Sequence, residues 1–292
     1  LTKAASDAFP LQSIKRMLSP WQQRLLAPVL RRITPAWFNQ TTFEVLSTLT
    51  SNRQLIAVLT GQWGDYGLPP EQSAFVMHAL VARHYLHGGF YPVGGSWRIS
   101  ETIIPRIQAT GGDVFTYARV EQIVVEQGKT RGVLMADGTR IACDCVISSA
   151  GVLNTFEHLL SPTVAQPYLN KLKKVAPSIG HLGAYIGLKG TAEALGLPKT
   201  NFWIYPSADY QGNVQRFIAD PKAEFPVVYL SFPSAKDPDF ARRHPDKSTI
   251  EIVAPAPYAW FAKWADQPWG KRGADYEAFK AELGERLMQV LY

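Results

Sequence analysis

The chain has 292 residues, 46% hydrophobic and 18% charged, which is enough to bury one large or two modest cores and excludes a disordered chain. Its net charge is +6, but six cations face Asp7 alone within residues 1–32, so the remainder is nearly neutral and a nucleic-acid-binding face is excluded. Two cysteines are too few for a zinc site, and no apolar run reaches the roughly 18 residues that a membrane-spanning helix needs.

Residues 11–33 form a basic amphipathic segment. Leu11, Ile14, Met17 or Leu18, Trp21, Leu25, Val29 and Ile33 recur at three- or four-residue spacing with Lys15, Arg16, Arg24, Arg31 and Arg32 between them. Ser19-Pro20 restarts the helix and Pro28 is expected to kink it. Two roles stay open: a surface helix whose Trp21 packs on the core, or a helix lying in a bilayer surface with its arginines on anionic headgroups.

Further helices are expected after Thr34-Pro35, over 52–59, and from Pro69-Pro70-Glu71 to Leu86. Next comes His87-Gly88-Gly89-Phe90-Tyr91-Pro92-Val93-Gly94-Gly95-Ser96, in which two glycine pairs let the backbone lie close to a flat or phosphorylated group. Ser96 can cap a helix carrying Ile99, Ile103, Ile104 and Ile107, and Gly111-Gly112 ends it. Strands are expected over 115–125, 130–135 and 140–143, with a turn at Asp137-Gly138, and over the buried run 145–151. Cys143 and Cys145 then share one strand face as small buried residues of a reducing compartment. Helices at 156–160 and 164–175 precede strands at 181–188, 202–205, 214–219, 227–232 and 249–254. A last helix covers 275–291, with Asp275 near its cap.

The residues that carry chemistry are sparse. No Ser-His-Asp order, metal cluster or P-loop can be assembled, so metal ligands are expected to be absent and the catalytic residues stay unassigned. His84 and His87 flank Tyr85 before the glycines and could approach a cofactor, although a structural role is commoner. Lys236-Asp237 reads as a solvated turn, with a substrate gate as the alternative.

The ordered set Tyr91-Pro92-Val93-Gly94-Gly95, Val120-Glu121-Gln122-Ile123, Gly132-Val133, Asp137-Gly138 and Val146-Ile147-Ser148-Ser149-Ala150-Gly151 resembles the later half of the FAD domain in the phytoene desaturase, carotenoid isomerase and amine oxidase superfamily. The later series from Ser231 to Asp237-Pro238, Ala254-Pro255-Ala256-Pro257, Trp260 to Trp264 and Trp269-Gly270-Lys271-Arg272-Gly273 narrows it to the retinol saturase-like branch.

That resemblance implies an α+β chain of an α/β flavoprotein family, holding part of an FAD-binding domain and a substrate domain with an antiparallel or mixed sheet flanked by helices. Residues 1–86 would be a helical, membrane-facing part of the substrate domain, 87–155 the FAD-domain remnant and 156–292 the substrate domain. It also implies FAD as cofactor, with NAD(P)H as a candidate reductant. Gly94 and Gly95 would pass near the FAD, the Val120 backbone would meet its adenine, and Ser149, Ala150 and Gly151 would border it. The implied function is an FAD-dependent oxidoreductase that saturates, desaturates or isomerises a conjugated isoprenoid, a retinoid or carotenoid. A non-catalytic lipid-binding or membrane-docking module is the alternative. The expected location is cytoplasmic, with peripheral membrane contact through residues 11–33. The family's G-x-G-x-x-G turn has no match, because Gly61, Gly64 and Gly67 have other spacing. The chain is therefore expected to be an internal piece of a longer flavoprotein.

Overall fold

In the computed structural model, residues 17–33, 36–175 and 178–292 are described. They divide into two compact units, Leu1–Arg98 with Ile179–Tyr292, and Ile99–Ser178. Residues expected in a leader helix before Met17, and the start at Thr34-Pro35, lie outside the described residues.

The first unit begins with α1 (Pro20–Ile33), where proline takes the first helical position. The Ser19 amide and hydroxyl both donate to Gln22 Oε1, at 2.9 and 2.8 Å. Helix α2 (Thr42–Ser47) carries a capping box that the pattern reading passed over. Glu44 N–H donates to Thr41 Oγ1 at 3.2 Å, and Thr41 N–H donates to Glu44 Oε2 at 2.7 Å. Helix α3 (Arg53–Leu59) is capped by Asn52, whose side chain accepts from Leu55 N–H at 3.1 Å.

Helix α4 runs from Phe75 to Tyr85 instead of starting at Pro69. The prolines sit in a turn whose backbone is already committed to α2. Phe43 N–H donates to Pro70 O, and Thr42 N–H to Ser73 O, at 2.9 and 2.8 Å. Val45, Leu46, Ile56, Phe75, Val76 and Ala79 form the small core among these helices.

In the second unit, α5 (Trp97–Ala109) ends at Gly111, which adopts φ +82°. Strands β1 (Val120–Glu126), β2 (Lys129–Met135) and β3 (Arg140–Ala142) make an antiparallel meander in that order. Gln127 and Gly128, at φ +50° and +74°, form the two-residue turn between β1 and β2. Gly132 is fixed by its neighbour, since a Cβ there would lie 2.0 Å from Ile141 O. Helix α6 (Pro162–Leu172) follows.

The run 145–151 is not a strand. It has no regular secondary structure and is largely exposed, with Ile147 at 94% exposure. Its β-branched composition favours a strand, but among the described residues no strand lies beside it to pair with its backbone. Cys143 is accordingly half-buried and Cys145 exposed, so the expected burial of both is corrected.

The chain returns to the first unit as β4 (Gly180–Lys189), β5 (Phe202–Ile204), α7 (Tyr210–Ala219), β6 (Val228–Ser231), β7 (Lys247–Ala256) and α8 (Gly273–Met288). The sheet order is β4-β7-β6-β5, antiparallel throughout. One expected strand, 214–219, lies inside α7. Asp209 accepts from Gly212 N–H at 3.0 Å and starts a helix that brings Val214 to the aromatic cluster around Tyr210 and buries Phe217 completely. The fold is thus α+β with antiparallel sheets.

One sheet face buries Leu230, Ile250, Ile252 and Ala254 against Phe217, Leu283 and Leu287. Ile252 and Leu287 are 0% exposed. Full burial of one such side chain contributes roughly 1.5–3 kcal/mol. Ile252→Ala is expected to cost about 2–5 kcal/mol by adding a cavity to that loss, read as a lower urea midpoint at unchanged slope.

Candidate functional site

The first unit contains the glycine loop, and its geometry has a definite cause. Gly94 and Gly95 take φ +95° and +98°, a region that L side chains rarely occupy. Gly94 N–H donates to Asp237 Oδ1 at 2.9 Å, across 143 residues of sequence. Gly95 N–H closes a turn on Pro92 O at 3.0 Å. Trp97 Nε1 donates to Gly94 O at 2.6 Å, and a Cβ on Gly94 would press on the Arg98 side chain at 3.1 Å. Both loop amides are therefore used within the protein.

Asp237 is not part of a solvated turn. Its side chain is 1% exposed and receives Gly94 N–H, Asp239 N–H at 3.0 Å and the Arg243 guanidinium. Burial alone would raise this carboxyl, but those donors outweigh it and hold the group below the ordinary carboxylate range. Arg243 also reaches Asp239 at 3.1 Å, and Arg242 grips the same carboxylate at 2.6 and 2.9 Å.

The second feature is the sheet face opposite the core. Alternation along β4 puts His181, Gly183, Tyr185 and Gly187 outward, with Tyr185 79% exposed. Register places Trp203, Tyr229, Val253 and Gly183 in one row across four strands, and Ser231, Glu251 and Tyr185 in the next. A cavity of about 330 Å³ opens on the first row, walled by Trp63, Trp203, Tyr229, Val253 and Pro255, with Asp65 and His181 as polar lining. Aromatic and aliphatic walls with few polar groups suit an apolar ligand.

Titratable groups ring this face. Burial raises Asp65, opposed by a hydrogen bond from Tyr85 and by the charge of His84. Burial raises Tyr229, opposed by its hydrogen bond with Ser231. Lys236 donates to Ser231 Oγ at 2.7 Å and to Asn201 Oδ1; burial lowers its pKa, and Glu251 opposes that. Tyr91, from the glycine loop, is raised by burial, then by Glu251 and Asp237. His84 thus has a neighbour with chemistry, whereas His87 is simply exposed. Among the described residues, no three His, Cys, Asp or Glu side chains could hold a metal ion.

The remaining residues picked from sequence lie in the second unit. Val120 opens β1, its backbone paired with Met135. Ser149, Ala150 and Gly151 are exposed, Gly151 at φ +93°, where the chain enters the short helix Val152–Asn154. Gly94 and Gly95 are held together in one unit, and Val120, Ser149, Ala150 and Gly151 belong to the other. Glu251, Tyr229, Ser231 and Asp65 were missed from sequence. For the first three, the odd–even alternation of the recognised strands gives a shared face but not the register that brings them together.

The fold is shared with a protein of known structure. An oxidoreductase of known structure from Methanosarcina mazei superposes over 86% of this chain and 56% of its own, with TM-score 0.55 and 19% identity. No family model matches. The all-trans-retinol 13,14-reductase of Homo sapiens is 41% identical over 266 residues, 86% of this chain and 43% of the human protein. An inactive all-trans-retinol 13,14-reductase of Danio rerio is 30% identical across 98% of this chain and 50% of its own length. A neurosporene-forming phytoene desaturase of Rhodobacter capsulatus is 29% identical over 69% of this chain and 38% of its own. The chain belongs to the family that contains the all-trans-retinol 13,14-reductases and phytoene desaturases, and spans about half or less of the length of these relatives.

Gly94→Val is expected to destabilise the protein, because a β-branched side chain must adopt positive φ and displace Arg98. Asp237→Asn should cost roughly 1.5–3 kcal/mol by removing the charge that receives Gly94 N–H and Arg243, which then keeps Asp239 alone as its carboxylate. Since the native Asp237 pKa is lowered, its contribution is present above the unfolded value and fades as pH falls below about 4. Urea titrations from neutral to acid pH should show the gap between wild type and Asp237→Asn closing in that window.

Proposed function

We propose that this chain is part of an FAD-dependent oxidoreductase that acts on a conjugated double bond of an isoprenoid, such as a retinoid or carotenoid. The aromatic-walled cavity on the outward sheet face carries the reading, supported by relatives named for retinol and phytoene. The domain division expected from sequence becomes part of the same proposal: residues 87–155 contribute to a flavin domain, and the antiparallel sheet to a substrate domain.

The described residues match a flavin site only in part. Small exposed residues at Ser149, Ala150 and Gly151 suit a border along a flat ring, and Val120 offers strand backbone to an adenine. A phosphate cradle needs unused backbone donors. The Gly94 and Gly95 amides are already engaged by Asp237 and Pro92. The glycine pair would therefore hold no phosphate. FAD, when bound, supplies the electron-transfer chemistry. This chain's residues supply the apolar wall, exclude water through Trp63 and Trp203, and keep protonatable groups at Asp65, Tyr85 and Tyr229 around the cavity.

Helix α1 extends the proposal to a membrane. Met17, Trp21 and Leu25 are 85%, 66% and 71% exposed, which does not fit Trp21 being packed on the core. No helix among the described residues is long and apolar enough to cross a membrane. A helix in the bilayer surface, its cations on anionic headgroups, would bring the protein to a lipid-dissolved substrate at a cytoplasmic membrane face.

The 292-residue chain expressed alone should carry no stoichiometric flavin, as an absorbance scan reads. A yellow protein with the two-band flavin spectrum would mean that these residues hold the dinucleotide without a Rossmann turn. Liposome co-sedimentation should rise with anionic lipid, fall with salt and drop sharply for Trp21→Ser. In a longer protein that contains this chain and retains flavin, isoprenoid binding that never leads to turnover when reductant is supplied would instead identify a binding module.

A further inference from the structure

We infer that the hollow at the end of the four-stranded sheet binds a phosphomonoester with an apolar body, its phosphate held between Lys189 and Lys247. The hollow has a volume of about 390 Å³ and is lined by these lysines, Ser248 and His244, with Leu188 and Phe240 as its apolar wall. Lys189 closes β4 and Lys247 opens β7. At this strand end the hollow takes in inward-facing Leu188 and Ser248 together with the outward lysines. Lys247 precedes Val253 by six positions, which sets it about 20 Å along β7 from the aromatic cavity. Neither the ligand nor its test depends on the isoprenoid reading.

The β4–β7 register pairs Lys189 directly with Lys247. Opposed Cβ atoms are about 5 Å apart, and like charges placed there destabilise a sheet. Among the described residues neither lysine enters an ion pair, and Asp246, next to Lys247 in the chain, pairs with neither. Two neutral donors join them. Ser248 is 1% exposed, yet its Oγ has no hydrogen-bond partner, a state that costs stability until a ligand supplies one. Arg243 Nη1 contacts His244 Nε2 at 3.3 Å. A guanidinium only donates, so Nε2 accepts and Nδ1 carries the hydrogen. The Phe240 ring, 4.9 Å away, packs on that imidazole. A phosphomonoester brings nearly two negative charges at neutral pH and three strong acceptor oxygens. A carboxylate or a sulfate ester brings one charge and leaves one lysine uncompensated. Leu188 and Phe240 suit an apolar group on the ester oxygen. Gly187 keeps that space open, since a Cβ there would meet nothing within 4 Å.

The test is calorimetric titration of the purified chain with phenyl phosphate, phenyl sulfate and inorganic phosphate. Phenyl phosphate should bind at one site, and phenyl sulfate about tenfold more weakly, the scale of one hydrogen bond to a charged group. Inorganic phosphate, which lacks the apolar body, should also bind more weakly. Lys189→Met and Lys247→Met should each weaken phenyl phosphate about tenfold. Their melting temperatures should equal or exceed that of the wild type, because the like-charge pair is gone, which separates a lost contact from a lost fold. Flotation with phosphatidylcholine vesicles carrying phosphatidic acid decides the source of the ester. A loss of flotation in Lys247→Met marks a lipid headgroup, and equal flotation of variant and wild type marks a soluble ester. No saturable binding of phenyl phosphate, equal affinity for phenyl sulfate, or full affinity in both lysine variants overturns the site and leaves the isoprenoid reading standing.

Discussion

The ten-residue antiparallel pairing of β4 with β7 is the constraint from which the rest of the first unit follows. Because side chains alternate on a strand, one register decides both faces at once. Ile250, Ile252 and Ala254 enter the core under α8, so Glu251, Val253 and Pro255 must face outward. A slip of one residue would bury Glu251 and expose Ile252. The site is therefore as strongly specified as the core, although its residues contribute little to burial.

Long-range polar contacts then place the loops around that face. Asp237 fixes the Gly94 peptide through a hydrogen bond from a position far along the chain, and Arg243 neutralises the buried charge. The energetic logic is asymmetric, since such a pair adds modest net stability while intact and costs much when broken. Its use here is geometric. It holds Tyr91 and the two positive-φ glycines at one end of the outward face, where Tyr91 senses Glu251. A second anchor, Tyr210 OH to Ala57 O at 2.9 Å, ties α3 to α7 and sets the floor beneath Trp63.

Family resemblance and geometry contribute different things. The ordered glycine, hairpin and small-residue motifs carry the relationship to retinol reductases and phytoene desaturases, which covers most of this chain but less than half of the human relative. The outward face adds a wall, a size and a polarity, and these point to the kind of ligand that fits.

Much of the local structure is legible in the residues themselves. Asn52, Pro20 and Gly111 mark helix ends, Asp137-Gly138 marks a turn, and alternation in β4 marks a half-buried strand, because these depend on neighbours within a few positions. Tertiary structure decided the rest. The run 145–151 has strand composition but remains unpaired, and 214–219 became helix because Asp209 caps it and Phe217 is needed in the core. The role of Asp237 was invisible in a Lys-Asp-Pro turn, since its partner is Gly94. Tyr229, Ser231 and Glu251 converge only through strand register, a relation between distant segments that no local pattern encodes.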